Sequence, residues 1–372
     1  MATTMHSPSP WQVARPYLFV FDRTLLVAFL LIVFISFVTM YSAASGFTGR
    51  FESHLRNVLI AFIVMWAAAN LSPQLMMRSA LPLYLLGLAL LVGVALFGDV
   101  SKGARRWLNL GVMRIQPSEL MKIAMPLMLA WYFQRREGAL RWFDFLIATV
   151  LLGVPVFLIF RQPDLGTAVL VLAAGAYVIF FAGLSWRVIG GLALGAVAAA
   201  PLLWTLMKPY QKHRVMMLID PTVDPLGKGF HIIQSTIAVG SGGLTGKGWM
   251  EGTQTHLEFI PERTTDFIFA VFSEEFGLLG NCVLLMLYLA LISRGLLIAA
   301  NGATLFMRLL AGAITMIFFT YAFVNMGMVS GVLPVVGVPL PFMSYGGTAL
   351  VTLGLGAGLL MSINRHRKLV QI

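Results

Sequence analysis

The sequence predicts an all-α polytopic integral membrane protein with about ten transmembrane helices. Two compositional observations indicate this class: 59% of the 372 residues are hydrophobic, and only 11% are charged. A soluble domain carries roughly 25% charged residues, because its surface must stay hydrated. Lipid must therefore be the main solvent of this chain, which excludes a soluble globular protein and a disordered one.

The apolar runs are the third observation. Runs of approximately spanning length lie near residues 25–44, 58–71, 81–98, 118–133, 145–161, 166–183, 187–207, 266–293, 305–330 and 344–363. The second and fourth runs are short, so we expect their helices to extend into the flanks. The first run resembles a signal peptide, but its length and the spans after it favour an uncleaved helix. We expect one membrane domain over residues 1–372, with a long periplasmic loop at 208–265 between helices 7 and 8.

The basic residues are distributed in short clusters between the apolar runs, although the net charge is +11. Such clusters anchor helix ends and bind anionic headgroups. We therefore expect membrane lipids as partners and no nucleic acid, which requires a continuous basic surface. The single cysteine, Cys282, cannot form an internal disulfide and is expected to be a packing residue.

The positions of charged residues favour a cytoplasmic location for both termini. The total of Lys and Arg on the two sides does not decide the orientation, but Arg135-Arg136 and the basic cluster at 365–368 directly follow helix ends. With this orientation, only three of the 15 acidic residues fall on the inner side: Asp22, Glu137 and Asp144. We therefore expect the chemistry on the periplasmic face.

The 208–265 loop contains a glycine-rich stretch, 240–248, that resembles a phosphate-binding loop. A Walker A motif requires Gly where Ser241 stands and Ser or Thr where Gly248 stands, so a nucleotide site is excluded. Glycine by itself favours a flexible loop. The apolar residues spaced through the loop, such as Trp249 and Phe259, instead favour an ordered and functional one.

Asp266 lies where this loop enters an apolar run. Partial removal from water makes a carboxylate a stronger base, as general base catalysis requires. The spacing is equally consistent with a helix cap, for which Asp is well suited. Glu274 and Glu275 follow about two turns later, where carboxylates are costly; they either pair with Lys or Arg or relay protons, and pairing is favoured.

A second polar cluster surrounds the predicted start of the fourth helix. Pro117-Ser118 is typical of a helix start, and it places Glu119 and Lys122 three residues apart on one face. This pair could simply neutralise itself. The basic residues before it could alternatively bind a pyrophosphate, and the 161–164 connection, with Arg161 and Asp164, adds a further charge pair.

The 331–347 stretch is apolar, but three prolines and four glycines exclude a regular helix. Irregular backbone at membrane depth is tolerated only where protein buries it or where it lines a cavity. This stretch therefore predicts a groove for a lipid-linked substrate.

These motifs together resemble the SEDS family (shape, elongation, division and sporulation proteins), from about Asp22 to Lys368. Pro261-Glu-Arg and the short N-terminus resemble the elongation branch rather than the division branch. The matching motifs are Arg214-Val-Met-Met-Leu-Ile-Asp-Pro, His231-Ile-Ile-Gln-Ser, Gly240-Ser-Gly-Gly-Leu, Pro261-Glu-Arg-Thr-Thr-Asp-Phe-Ile-Phe, Gln116-Pro-Ser-Glu with Lys122, Gln162-Pro-Asp-Leu-Gly-Thr and Ser344-Tyr-Gly-Gly.

The resemblance implies a peptidoglycan glycosyltransferase of the bacterial inner membrane. Such an enzyme polymerises lipid II, a disaccharide-pentapeptide on undecaprenyl pyrophosphate, at the periplasmic face. Asp266 matches the essential aspartate of the family and would deprotonate the 4-hydroxyl of the acceptor sugar. The expected substrate-binding residues are Arg114, Glu119, Lys122, Asp164, Arg214, Lys247, Arg263 and Ser344.

The resemblance also implies partners: a class B penicillin-binding protein that supplies transpeptidation, and the MreB-associated elongation complex. No metal-ligand spacing occurs in the sequence, so no cofactor is assigned, and a divalent cation such as Mg²⁺ or Mn²⁺ stays open. The alternative function is a lipid II flippase without covalent chemistry. Transporters bind their substrates near the bilayer midplane, whereas the charges here concentrate at one face, which favours an enzyme.

Overall fold

The computed structural model describes residues 20–101, 104–109, 114–162, 164–207, 212, 216, 228–257, 259–260 and 262–368. Most of the regular structure in these residues is helical. The helices are α1 (Arg23–Ala43), α2 (Arg50–Ala69), α3 (Pro73–Phe97), α4 (Pro117–Arg135), α5 (Trp142–Arg161), α6 (Leu165–Phe181), α7 (Trp186–Leu206), α8 (Lys228–Ser241), α9 (Thr253–His256), α10 (Ile268–Ala300), α11 (Leu305–Val329) and α12 (Gly347–Arg365).

Each apolar run of the sequence overlaps one long helix, α1 to α7 or α10 to α12. Within the described part of the chain, α1, α3, α5, α10, α11 and α12 are long and apolar enough to cross a membrane. The two short runs do continue into their flanks, since α2 begins at Arg50 and α4 at Pro117. The chain is a multi-pass membrane protein.

Side-chain caps set the starts of several helices. Asp22, Ser72, Asp164 and Thr304 each accept a hydrogen bond from the backbone N–H three residues later, at the starts of α1, α3, α6 and α11. Such caps satisfy backbone donors that have no partner within the helix. Asp, Ser and Thr at the ends of apolar runs therefore mark where these helices begin.

Helix α11 lies at the centre of the bundle. In its most apolar window 72% of the residues are buried, against 28% for α3 and for α5. It packs against α4, α6 and α10, while α12 packs along α2. A Cβ added at Gly354 or Gly358 of α12 would lie 2.5 or 2.2 Å from a backbone oxygen of α2, so these glycines allow the close contact typical of membrane helices.

The prediction of an all-α protein is wrong in one place. A small antiparallel sheet connects α3 to α4, with strands β1 (Asp99–Ser101), β2 (Ala104–Asn109) and β3 (Arg114–Ile115) in the order β1-β2-β3. Its strands are short and rich in charged residues, so they lack the alternation of apolar and polar residues that identifies a strand in a sequence. The sheet lies directly before the second polar cluster.

The 208–265 region is not a loop throughout, because its described residues include α8 and α9. Of its spaced apolar residues, Ile260 is fully buried and Trp249 Nε1 donates to the carbonyl of Val38 on α1 at 3.0 Å, whereas the side chains of Trp249, Leu257 and Phe259 are exposed. Cys282, expected to pack inside, is instead exposed on α10.

Helix α10 is interrupted at Gly277, whose φ of 62° and ψ of −159° are open only to glycine. The glycine-rich stretch 242–248 inserts into this break, so that two lost helical hydrogen bonds are replaced by four from the loop backbone. These bonds run from Lys247 N to Glu274 O (3.0 Å), Gly248 N to Glu275 O (3.2 Å), Leu278 N to Gly243 O (2.9 Å) and Leu279 N to Leu244 O (3.0 Å).

Glycine is required in the inserted stretch because the two backbones approach so closely. A Cβ at Gly242 would lie 2.1 Å from the carbonyl oxygen of Ser273, and one at Gly246 would lie 2.0 Å from that of Glu275. The glycine pattern that resembles a phosphate-binding loop therefore serves contact with α10.

The opposite end of α10 is tied to α1 and α12 by one carboxylate. Asp22 accepts hydrogen bonds from Arg294 Nη2 at 2.7 Å and from Asn364 Nδ2 at 2.9 Å. Burial raises the pKa of Asp22, but the hydrogen bonds from Arg294 and from the Leu25 N–H, together with the Arg294 charge, outweigh it, so the pKa lies below its ordinary value.

Candidate active site

Asp266 is half-buried in a series of turns, 262–267, that precedes α10. The N-cap position of α10 is Phe267, which makes no side-chain cap hydrogen bond. Asp266 lies one residue before this position, so the helix-cap interpretation of its role does not match the helix boundary. Its position between a polar turn and an apolar helix is the one expected of a partly desolvated base.

Asn325 of α11 connects the Asp266 turn to the irregular 331–346 segment. Its Nδ2 donates to the backbone oxygen of Asp266 at 2.8 Å and to that of Val338 at 2.7 Å, and the side chain is fully buried. Gly337 faces the carboxylate, since a Cβ there would lie 3.3 Å from Asp266 Oδ2. The 331–346 segment is non-helical, as its prolines and glycines predict, and it borders Asp266.

The Glu119–Lys122 pair of α4 contacts α11 at Tyr321, one turn before Asn325. Lys122 Nζ donates to Glu119 Oε1 and to the hydroxyl of Tyr321, each at 2.6 Å, and its side chain is only 3% exposed. Tyr321 and Asn325 are four residues apart, and such residues share one face of a helix. The predicted i,i+3 pair is confirmed, and α11 links it to Asp266.

Asp164 caps the start of α6, next to the 331–346 segment. Its carboxylate accepts from Gln116 Nε2 at 3.1 Å and lies 3.8 Å from Nε of Arg106. The next turn of α6 touches the segment, because a Cβ at Gly166 would lie 2.5 Å from the backbone oxygen of Val336. The expected partner, Arg161, instead lies over the ring of Phe157.

Two sequence-predicted groups therefore lie at the irregular segment, the Asp266 carboxylate and the α6 start that carries Asp164, and α11 connects the Glu119–Lys122 pair to them. Of their cations, Lys122 is enclosed, whereas the Arg106 side chain is 36% exposed. An exposed guanidinium such as that of Arg106 can bind an anionic group, and a half-buried carboxylate such as that of Asp266 can accept a proton.

Other expected site residues have structural contacts. Arg263 is buried and donates to the backbone oxygens of Ala43, Thr255 and Ser45, at 2.9, 2.8 and 2.6 Å. The Oγ of Ser344 is also buried and accepts from the N–H of Leu340 at 2.7 Å. These contacts fix the backbone on both sides of Asp266.

Lys247 Nζ pairs with Glu274 Oε1 at 2.6 Å. Glu274 thus has the basic partner, Lys247, that was expected for the glutamates of α10. Its neighbour Glu275 bonds to the hydroxyl of Ser42, and its second carboxylate oxygen is buried without a hydrogen bond among the described residues.

The side chains of two predicted substrate-binding residues, Arg114 and Arg214, lie outside the described part of the structure. Arg114 is in β3, three residues before the start of α4, and its side chain lies outside the described part of the structure. Arg214 is in 213–215, which also lies outside the described residues.

One cation near Asp266 is absent from the sequence-based candidates. Arg50, the first residue of α2, is half-buried, and its Nη1 donates to Thr264 Oγ1 at 2.7 Å. A lone arginine at the end of an apolar run is typical of a membrane anchor, so its spacing gave no signal. Only the fold brings Arg50 into contact with Thr264, two residues before Asp266.

A divalent cation would require oxygen ligands from several residues or from substrate. No three His, Cys, Asp or Glu side chains come together as a metal site in the described residues. The residues described therefore do not form such a site on their own, and no chemical step is assigned to a metal here.

Comparison with known proteins identifies the family. The family model described as "Cell cycle protein", covering FtsW, RodA and SpoVE, matches residues 17–369. The chain belongs to this family. It is 50% identical over 350 residues to "Peptidoglycan glycosyltransferase MrdB" of Escherichia coli (strain K12), covering 94% of this chain and 95% of that protein. It is also 34% identical to "Stage V sporulation protein E" of Bacillus subtilis (strain 168), covering 93% and 98%.

Solved structures of family members have the same fold. A chain of a peptidoglycan synthase complex that coordinates polymerization and crosslinking matches with a TM-score of 0.81 and 34% identity, covering 95% of this chain and all of that one. The rod shape determining protein RodA of Thermus thermophilus matches with a TM-score of 0.71 and 30% identity, covering 94% and 98%.

Proposed function

We propose that this protein is a peptidoglycan glycosyltransferase that polymerises lipid II during cell elongation and rod-shape maintenance. The observation that carries the proposal is the placement of Asp266, a half-buried carboxylate bordered by the irregular 331–346 segment. Support comes from the relative in Escherichia coli, which bears the name peptidoglycan glycosyltransferase.

In the proposed reaction Asp266 is the general base. The acceptor sugar's 4-hydroxyl oxygen attacks the anomeric carbon of the donor, and its proton passes to the Asp266 carboxylate. The bond from that carbon to the pyrophosphate breaks, and its electron pair leaves with undecaprenyl pyrophosphate. One base in line with the leaving group is sufficient for this inverting displacement.

Stabilisation of the leaving group falls to cations around the 331–346 segment. Pyrophosphate gains negative charge as the bond breaks, so fixed positive groups favour the transition state over the ground state. Arg106 is the more exposed described cation of the second cluster, while Lys122 is bound to Glu119 and Tyr321. We assign anion contact to Arg106, with Arg114 and Arg214 as further candidates, and assign Lys122 to positioning Tyr321.

The proposal includes placement in the membrane and partners. We place ten spans in the bacterial inner membrane, with both termini in the cytoplasm and Asp266 at the periplasmic face, as the basic clusters at helix ends favour. We also propose a class B penicillin-binding protein as partner, since a similar chain belongs to a peptidoglycan synthase complex. Association with the MreB-organised machinery is a further expectation.

A lipid II flippase is the alternative, and the interrupted helix α10 is the observation in its favour. Transporters bind substrate at broken helices near the midplane, where unwound backbone lines the pathway. Here the groups freed at Gly277 are bonded to backbone atoms of the 242–248 stretch. Four backbone groups that a substrate could meet at the break are therefore occupied by protein atoms, which favours the enzyme.

Polymerisation in detergent tests the proposal, because detergent removes the two compartments that flipping requires. The purified protein, together with its penicillin-binding protein, is incubated with lipid II, and glycan polymer is measured. We expect polymer from the wild type, and a loss of at least about 100-fold in Asp266→Asn, the usual scale for removing a general base.

Glu251→Gln is the matched control, because Glu251 is an exposed carboxylate in the same region of the chain. It should retain wild-type activity, and all variants should unfold at similar temperatures. Absence of polymer from the wild type would refute the enzyme, and wild-type activity in Asp266→Asn would refute the role of Asp266.

A further inference from the structure

An apolar groove of about 260 Å³ runs between α1 and α2, outside the cluster of charged groups. Phe342 and Leu350 form its floor, and Phe342 belongs to the 331–346 segment that borders Asp266. The walls consist of apolar side chains of the two helices: Leu26, Phe29, Leu30, Val33 and Phe37 of α1, with Leu55, Val58, Leu59, Ala61, Phe62 and Met65 of α2.

The groove follows the helix axis and ends near Asp266. From Leu26 to Phe37 it extends about 16 Å along α1, at 1.5 Å per residue. At the Phe37 end, the ring of Phe37 contacts that of His54 with centroids 5.9 Å apart, and His54 approaches Tyr345 at 6.4 Å. The backbone N–H of Tyr345 donates to the oxygen of Thr264 at 2.8 Å.

A guanidinium lies at this same end. Arg50 packs over the rings of Phe47 and Tyr345 at 4.2 and 5.4 Å, and its hydrogen bond to Thr264 uses one of its five N–H groups. The residue is half-buried, so part of it stays accessible. Arginine in such a setting binds phosphate oxygens in a bidentate manner.

An apolar groove that ends at an arginine is complementary to one kind of molecule, a long hydrocarbon chain that carries a phosphate. We propose that the isoprenyl chain of the lipid-linked substrate lies in the α1–α2 groove and that Arg50 binds its phosphate. This inference rests on the proposed function. Because a lipid tail gains little hydrophobic free energy on leaving the bilayer, the groove acts mainly by directing the phosphate toward Asp266.

Photolabelling tests the groove without any need for turnover. Lipid II with a diazirine on its isoprenyl chain is irradiated with the detergent-purified protein, and adducts are mapped by mass spectrometry. We expect the adducts to concentrate on residues 26–37 and 55–65 and to fall when unlabelled lipid II competes. Even labelling of all lipid-facing helices, or equal competition by bulk phospholipid, would overturn the proposal.

Val58→Trp and Arg50→Ala separate the two parts of the site. Val58→Trp fills the groove and should reduce its labelling severalfold, whereas Ile63→Trp, on the exposed face of α2 outside the groove, should not. Arg50→Ala should raise KM about 10- to 100-fold, the range for losing a hydrogen bond to a charged group, with kcat much less affected. The exposed Arg56, changed to Ala, is the control.

Chain length provides the last comparison. With lipid II carrying only a few isoprene units, Val58→Trp should match the wild type, while Arg50→Ala should retain its defect. A Val58→Trp defect that is equal for both chain lengths would overturn the groove assignment. If the wild type is labelled in the groove yet makes no polymer, the proposed function fails while binding of the chain stands.

Discussion

Two stretches of non-helical backbone lie within the helix bundle, and they are held in different ways. At the break in α10, backbone groups of 243–248 bond to the backbone groups that the break frees. The 331–346 segment is held mainly by side chains, since Ser36, Tyr288 and Asn325 donate to its carbonyl oxygens, beside a backbone bond from Tyr345 to Thr264. Backbone contacts make the first stretch a support. Side-chain contacts hold the second stretch where it borders Asp266.

The largest loss of stability is expected where the backbone of the glycine-rich stretch 242–248 contacts that of α10. Gly242→Ala would place a Cβ 2.1 Å from the carbonyl oxygen of Ser273, so one backbone must shift. We expect the free energy of unfolding to fall by about 3 kcal/mol, the upper range for overpacking. Thermal unfolding in detergent measures this.

Gly240→Ala is the control for crowding, because no heavy atom lies within 4 Å of a Cβ there. Its midpoint should equal that of the wild type or exceed it slightly, as expected for Ala in a helix. Equal stability of the two variants would contradict the close contact at the break.

Adjacent glutamates at the break give the second prediction. Glu274 bonds to Lys247 and also accepts from Thr253 Oγ1 at 3.1 Å, whereas Glu275 bonds to the Ser42 hydroxyl. Glu274→Gln leaves Lys247 without its anionic partner and should cost about 2–3 kcal/mol. Glu275→Gln retains its shape and a polar bond to Ser42, and should cost less than about 1 kcal/mol.

Thermal midpoints of both variants and of Lys247→Met measure this difference. The double variant Glu274→Gln with Lys247→Met should lose less than the sum of the single losses, because the two residues interact directly. Additive losses, or a larger loss in Glu275→Gln, would show that the ion pair does not support the break.

The contrast between the stretches also explains what the sequence could predict. Composition and apolar runs located the long helices, because burial in lipid requires runs of that length. Prolines at 334, 339 and 341 identified the irregular segment, and the Glu119–Lys122 spacing identified that pair. These are local signals, carried by residues close in the chain.

Contacts between distant residues carried no such signal. The glycines in 240–248 are equally typical of a flexible loop and of a phosphate-binding loop. Their contact with α10, some 30 residues later in the chain, leaves no signal in the nearby sequence. Asn325 and Arg50 are single polar residues in apolar surroundings, and only the packing of α11 and α2 brings them to the turn that contains Asp266. The role of Asp266 itself came from resemblance, because spacing left a cap equally consistent.

The third prediction tests whether the side-chain-held stretch positions Asp266. Asn325→Ala removes hydrogen bonds to the backbone oxygens of Asp266 and Val338. We expect kcat for polymerisation to fall about tenfold with little change in KM, since a small displacement of a base impairs proton transfer more than binding. Activity should also respond differently to pH than in the wild type.

Asn301→Ala is the matched control, because Asn301 is exposed and bonds only within its own helix end among the described residues. It should retain wild-type kcat. If Asn325→Ala lowers stability while kcat and the pH profile stay unchanged, the residue is structural and does not position Asp266.

The smallest effect is expected at Asp22, which is remote from both stretches at the other end of α10. Asp22→Asn removes the charge of this buried carboxylate but keeps an oxygen that can cap α1, and the quarter-exposed Arg294 can turn to solvent, so we expect a cost of about 1 kcal/mol at neutral pH, with polymerisation unchanged. The pKa of Asp22 is lower in the folded state than in the unfolded state. The stability that the ionised carboxylate contributes is therefore complete above its ordinary pKa of roughly 3.9, and it is lost as the pH falls through the folded-state pKa. The thermal midpoints of the wild type and Asp22→Asn in detergent should therefore differ at neutral pH and converge in acid. In acid the wild-type carboxylate is protonated and is then uncharged, like the Asn side chain. A difference that persists unchanged in acid would show that Asp22 acts through its shape as a cap of α1 and not through its charge.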